Sequence, residues 1–157
     1  HPIAGTEHHG WQSAQADLFQ GAQWVLTPTS ITDANALAHV EELVRKVGAT
    51  PLTMDAEHHD REMALLSHLP HAIAFSLNAL HTKHPTTLQG GSSWRSATRV
   101  AQSDPTLWSE IFHLNREALL QSLSQFQKEL AEIESLLQTG DAEAIDQWLA
   151  QARRQIP

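Results

Sequence analysis

From Leu107 to Leu137 the apolar residues recur in steps of three and four, apart from one step of five between Leu114 and Leu119. Leu107, Ile111 and Leu114 come first, and Leu119, Leu123, Phe126, Leu130, Ile133 and Leu137 follow. That spacing draws one helical face over about nine turns. A strand cannot present it, because strand faces alternate every second residue. The C-terminal part is therefore predicted to be helical, with Asn115-Arg116 as a break in the stripe. Ser103-Asp104-Pro105 supplies the start, a capping side chain followed by proline at the first helical position. Gly140-Asp141 closes the long helix and caps a last one carrying Ile145, Trp148, Leu149 and Ala152. In a chain of 157 residues, so long a stripe needs several neighbours, or a second copy of the chain, to cover it.

The first third reads differently. Residues 1–22 hold Pro2, Gly5, Gly10 and Gly21 and read as loop with short helical pieces. Trp24-Val25-Leu26-Thr27 is a short apolar run stopped by Pro28, which predicts a strand. Thr32 or Asp33 caps the helix marked by Leu37, Val40, Leu43, Val44 and Val47, and Gly48 ends it. Pro51-Leu52-Thr53-Met54 is a second strand. Strand, helix and strand in that order make a βαβ unit with a parallel pair. Two parallel strands alone leave unpaired edges, so the unit is expected to end a larger α/β sheet whose earlier strands precede His1. No signal-peptide pattern opens the chain, and the expectation is that it was cut or processed upstream. From about residue 56 the pattern turns helical. One segment runs from near Glu57 to about Leu80, with a kink at Pro70, whose missing amide would have bonded to Leu66. His81 to Thr98, polar and containing Gly90-Gly91, reads as loop.

Composition narrows the function. Ten Lys and Arg stand against 18 Asp and Glu, a net charge of −8. Such a surface repels phosphate backbones, so no nucleic-acid partner is expected. No apolar run approaches the ~18–20 residues of a membrane span, so no membrane partner is expected either. The chain has no cysteine, which excludes disulfides, Cys-ligated zinc, Fe–S clusters and thiol nucleophiles and is compatible with a cytoplasmic location. No Gly-x-Gly-x-x-Gly occurs, so a dinucleotide-binding fingerprint is missing from this chain. The unusual feature is 11 histidines.

Several of those histidines fall in groups. His1-Pro2-Ile3-Ala4-Gly5-Thr6-Glu7 opens the chain. If a strand precedes it, His1 sits at the carboxyl end of that strand, where open α/β sheets place ligands. Glu57-His58-His59-Asp60 and Ser67-His68-Leu69-Pro70-His71 follow, with His68 and His71 on one helix face. These side chains read either as solvated or capping histidines or as imidazole and carboxylate metal ligands. Against a metal, no second Glu-x-x-His and no His-Glu-x-x-His is present. In Gly90-Gly91-Ser92-Ser93-Trp94-Arg95-Ser96-Ala97-Thr98-Arg99, the glycines would let backbone approach a ligand. Arg99 could hold a carboxylate through both arms of its guanidinium, or pair with a surface acid.

Taken in order, these segments resemble the prephenate/arogenate dehydrogenase family of tyrosine biosynthesis. The match is carried by His1-Pro2-Ile3-Ala4-Gly5-Thr6-Glu7, Leu18-Phe19 with Trp24-Val25-Leu26-Thr27-Pro28, and His59-Asp60. It continues through Ser67-His68-Leu69-Pro70-His71, Gly90-Gly91, Thr98-Arg99-Val100-Ala101-Gln102-Ser103-Asp104-Pro105 and Trp108. The resemblance implies a mainly α chain. Residues 1–55 would be the C-terminal edge of a Rossmann-type nucleotide-binding domain, with one βαβ unit. Residues 56–157 would be an all-α domain that binds substrate and forms a homodimer. It implies a substrate, prephenate or arogenate, oxidised by hydride transfer to NAD or NADP with loss of carbon dioxide. The cofactor would be held mainly by a part of the protein outside this chain, so this chain alone is expected to be inactive. His1 matches the family's catalytic histidine and Arg99 its carboxylate-binding arginine. His59 and His71 match pocket histidines; Thr6, Glu7, Gly91 and Trp108 match further substrate-site positions. No metal ligand is implied.

The chain departs from the family pattern at His9, where serine is frequent, at Ser92, where a third glycine is frequent, and at Ser96, where an acid is frequent. The last change removes a potential partner for Arg99. Two other readings stand beside the resemblance: a regulatory module that binds aromatic metabolites without catalysis, and a histidine-rich helical metal-binding protein.

Overall fold

A computed structural model of the chain describes residues 1–5 and 10–153. Thr6, Glu7, His9 and the last four residues lie outside the described residues. Strand β1 (Gln23–Leu26) pairs in parallel with β2 (Thr50–Thr53), Gln23 opposite Thr50 and Leu26 opposite Thr53. Helix α1 (Ala34–Lys46) makes the crossover. Its start is fixed by Asp33, whose carboxylate accepts the Ala36 amide at 2.8 Å. Its end is fixed by Gly48 at φ +84°, a left-handed conformation that glycine adopts freely. The βαβ reading thus holds in order, direction and boundaries to within a residue. The opening residues supply the other edge of β1: Pro2 bridges Trp24 antiparallel, Ile3 donates to Gln23 O and the Val25 amide donates to His1 O at 2.8 Å. Those bonds place His1 beside the sheet.

Leu26, Val44 and Ala49 form a buried cluster between sheet and α1, flanked by Phe19, Trp24 and Leu37. Phe19 and Trp24 meet with ring centres 4.9 Å apart. Val44 is 1% exposed, so Val44→Ala would leave a void. The expected loss is about 1–3 kcal/mol of unfolding free energy, measured by urea denaturation. A change within ~0.5 kcal/mol would show that this cluster does not hold the unit.

A helical run then spans residues 56–83. It consists of α2 (Ala56–Met63), a π turn (Ala64–His68) and α3 (Leu69–Lys83). The expected proline kink is resolved as the π turn. Pro70 has no amide to give Leu66, and the ladder widens just before it, so that Leu69 N–H donates to Ala64 O. The run is also longer than expected, ending at Lys83 rather than near Leu80. By length and composition it suffices to cross a membrane, with a mean hydropathy of 1.2 over 18 residues. Polar residues interrupt it throughout, so it contains no continuous apolar run of that length.

The expected loop from His81 to Thr98 is half helical. Helix α4 (Ser92–Thr98) and a 3-10 turn (Arg99–Gln102) follow Gly91. Trp94 organises this stretch: its ring lies 5.3 Å from that of His81, and its carbonyl accepts Thr98 Oγ1 at 2.8 Å. A Cβ on Gly90 would overlap the Trp94 ring, so this glycine makes room for tryptophan. Helix α5 (Pro105–Leu114) starts at Asp104, which caps Thr106 N at 2.8 Å. Asn115 separates α5 from α6 (Arg116–Thr139), at the break read from the sequence.

The chain divides into two compact units, His1–Leu119 and Leu120–Pro157. The second holds most of α6 and helix α7 (Ala142–Arg153). Gly140 turns with φ +67°, and Asp141 Oδ1 accepts the amides of Glu143 and Ala144 at 3.0 and 3.1 Å. Leu130, Leu137 and Leu149 are about half exposed.

Candidate active site

The first unit encloses a cavity of about 630 Å³. His1 and Pro2 enter from the sheet edge, and Leu52 and Met54 from the end of β2. His59, Glu62, Ser67 and His71 come from the α2–α3 run, and Arg99, Asp104 and Trp108 from the turn and helix beyond. His1, His59, His71, Arg99 and Trp108, far apart in sequence, therefore line one space. Gly91 does not line it; it stands at the N-terminus of α4 in open surroundings. Thr6 and Glu7 fall outside the described residues. Ser96 lies with Arg99 on a separate, shallow cleft alongside Trp94 and Arg95.

Two hydrogen-bonded groups shape the cavity wall. In the first, His1 Nδ1 lies 2.7 Å from His59 Nε2, and His59 Nδ1 lies 2.9 Å from Asp60 Oδ1. In the second, the His71 and Trp108 rings stack with centres 3.4 Å apart and planes 17° from parallel. Phe112 and His68 contact Trp108 edge-on. His71 Nδ1–H donates to Ser67 O at 2.9 Å. That carbonyl belongs to the π turn just ahead of Pro70. With Nδ1–H so engaged, the neutral His71 keeps a bare Nε2 as an acceptor.

Asn115 links the two groups. Its Nδ2 donates to Asp60 O at 2.8 Å and lies 3.2 Å from His68 Nδ1. The sequence marked Asn115 only as a helix break; nothing in its spacing gave away this contact, which spans 55 residues. Among the described residues no group of three or more His, Cys, Asp or Glu side chains is arranged to hold a metal ion.

Burial sets the protonation of the inner histidines. It holds His68 below the usual imidazole range, and the neighbouring His71 adds to the effect. Burial also lowers His71, the Ser67 hydrogen bond opposes this, and the nearby Arg99 charge lowers it further. Both groups charge less readily in the folded chain than in the unfolded one. The unfolded chain therefore takes up more protons just below pH ~6.5, and stability present above that pH is lost as pH falls further. The melting temperature is expected to drop between pH 7 and 5. The drop should shrink in His68→Asn and His71→Asn, and an equal drop in both variants would refute this assignment.

A pyrophosphate cradle in a βαβ unit needs a glycine-rich turn and free amides at the helix N-terminus. The connection from β1 to α1, Thr27 to Asp33, contains no glycine. The N-terminus of α1 is filled by the Asp33 carboxylate, which would repel a phosphate where a dinucleotide fold needs free amides. The residues of this unit do not fit that role.

Comparison with known proteins places this geometry. Residues 1–52 match the family described as prephenate dehydrogenase, nucleotide-binding domain, and residues 55–151 match prephenate dehydrogenase, dimerization domain. A cyclohexadienyl dehydrogenase of Zymomonas mobilis is 38% identical over 149 residues, covering 91% of this chain and 51% of that protein. Prephenate dehydrogenase from Aquifex aeolicus, solved in complex with hydroxyphenyl propionate and NAD+, superposes with a TM-score of 0.93 at 33% identity. The match covers 99% of this chain and 56% of that one. Synechocystis arogenate dehydrogenase superposes with a TM-score of 0.84 at 28% identity, over 98% of this chain and 58% of that one. The fold is thus the one these dehydrogenases show over the matched part of their chains. The chain belongs to the prephenate dehydrogenase family. It spans about half the length of the relatives it matches.

Proposed function

We propose that this chain is the substrate-binding and dimerising part of an NAD(P)-dependent dehydrogenase acting on prephenate or arogenate. The observation that carries the reading is the convergence of His1, His59, His71, Arg99 and Trp108 on one cavity. The substrate is a ring that bears a hydroxyl and a carboxylate and carries a second, side-chain carboxylate. The Arg99 guanidinium suits a carboxylate and the bare His71 Nε2 suits a donor, while the stacked His71–Trp108 pair gives the ring a flat wall. His1 is the base. It takes the hydroxyl proton as the carbinol carbon gives up hydride. The dinucleotide, held by residues outside this chain, supplies the hydride acceptor. Loss of the ring carboxylate as carbon dioxide leaves its bonding electrons in the ring, and the phenolate oxygen recovers the proton from His1.

In this reading residues 1–55 close the nucleotide-binding domain and residues 56–157 form the helical domain. A second copy of the chain is the protein partner, and the setting is cytoplasmic. The test is the full-length protein assayed with prephenate and arogenate, each with NAD+ and NADP+, following nicotinamide reduction. Turnover of one substrate is the expected result; none with any pair would sink the reading. Titration calorimetry of this chain alone should show no tight binding of either dinucleotide.

A further inference from the structure

We propose that His59 and Asp60 form a positioning pair that fixes the tautomer of His1 and so presents its Nε2 as the proton acceptor. The proposal deepens the reading of His1 as the base and rests on it. An ionised carboxylate can only accept hydrogen bonds. At 2.9 Å, Asp60 Oδ1 therefore holds the His59 proton on Nδ1. The neutral His59 then has a bare Nε2. That atom, 2.7 Å from His1 Nδ1, accepts, so the His1 proton sits on Nδ1. His1 Nε2 is left with its lone pair. One carboxylate thus decides, through two imidazoles, which His1 nitrogen is basic, the logic by which a carboxylate orients a catalytic histidine in hydrolytic triads.

The geometry supports a built arrangement. The two rings meet edge-on, with centres 5.0 Å apart and planes 74° from parallel. The His59 side chain is 18% exposed, and both histidines line the cavity. The backbone at Asp60 is pinned by the Asn115 amide, which bonds the turn between α5 and α6 to the helix carrying the pair. Backbone bonds at both ends of the opening segment, Val25 N–H to His1 O and Ile3 N–H to Gln23 O, hold His1 against β1. When His1 takes a proton at Nε2, its Nδ1 proton can shift to His59 Nε2. The added positive charge is then shared between two rings beside Asp60, and no proton is lost to solvent.

The test uses the full-length protein with 15N-labelled histidine. Long-range 15N–1H spectra report which ring nitrogen carries the proton, independently of any turnover. The expected spectrum has His1 protonated at Nδ1 and bare at Nε2. In His59→Phe, His1 should revert to the Nε2–H form that an unrestrained imidazole prefers. The variant kcat should fall at least tenfold while KM moves less than threefold. His59→Gln keeps an oxygen that accepts from His1 Nδ1–H, and should retain the tautomer and recover most of kcat. Asp60→Ala should give a mixture of tautomers. An Nε2–H His1 in the parent protein, or an unchanged His1 tautomer in His59→Phe, overturns the proposal. If the protein turns over neither substrate, the spectra still decide the tautomer, so failure of this inference and failure of the functional reading are distinguishable.

Discussion

Arg99→Ala in the full-length protein is expected to lower kcat/KM for the dicarboxylate substrate by about 10- to 150-fold, mostly through KM. A hydrogen bond to a charged group contributes ~1.5–3 kcal/mol, and each ~1.4 kcal/mol is a factor of ten. The substrate carboxylate is present before and after hydride leaves, so its contact is made in ground state and transition state alike and appears in KM. Arg99→Lys should fall between the two, because an ammonium keeps the charge but loses the planar fork. A second readout needs no substrate. The Arg99 charge helps hold His71 below the usual imidazole range, so in Arg99→Ala the His71 ring should titrate at higher pH by NMR. An unchanged kcat/KM would remove Arg99 from substrate binding. An unchanged His71 titration would place its charge too far from the cavity wall to matter.

The sequence and the structure agree best where one local signal decides the outcome. Asp33, Gly48, Asp104 and Asp141 each announce a helix end through a short polar side chain or a positive φ, and each is found in that role. The parallel pair was legible because two short apolar runs flank a single amphipathic helix. What the sequence hid depends on partners distant along the chain. Ser92 to Thr98 is polar, with glycines before it, and looks like loop; it is helical because Trp94 packs on His81 from the preceding helix. Pro70 signalled a disturbed helix but could not say whether the backbone would bend or widen. The π turn bears on the site, because its Ser67 carbonyl accepts the His71 side chain. His1, His59, His71, Arg99 and Trp108 were legible one by one as candidates, through the resemblance, and they line one cavity. Their hydrogen-bond order was not, since no spacing rule links residue 1 to residue 59 or residue 60 to residue 115. Gly91 was selected by its motif, yet the space that a glycine opens is taken at Gly90, by Trp94.

His1→Asn in the full-length protein should have the largest effect of all, a fall in kcat of about 10²- to 10⁴-fold, the usual range for removing a positioned general base. Asparagine keeps a side-chain donor near the His59 ring but has no nitrogen that can take a proton at neutral pH. Substrate affinity should change little, because the groups suited to the carboxylates and the ring, Arg99, His71 and Trp108, stand elsewhere on the cavity wall. The loss therefore belongs in kcat and kcat/KM together, the pattern of an interaction made only in the transition state. The pH profile separates this from misfolding. With His1 present, kcat/KM should fall on the acidic side as the base becomes protonated, and in His1→Asn that limb should disappear while a low, flat rate remains. A variant that keeps the acidic limb, or loses less than tenfold in kcat, would move the role of base to another group. Among the described residues of the cavity wall, His59 then becomes the nearest imidazole to the same space, and the relay from Asp60 would have to be read as ending there.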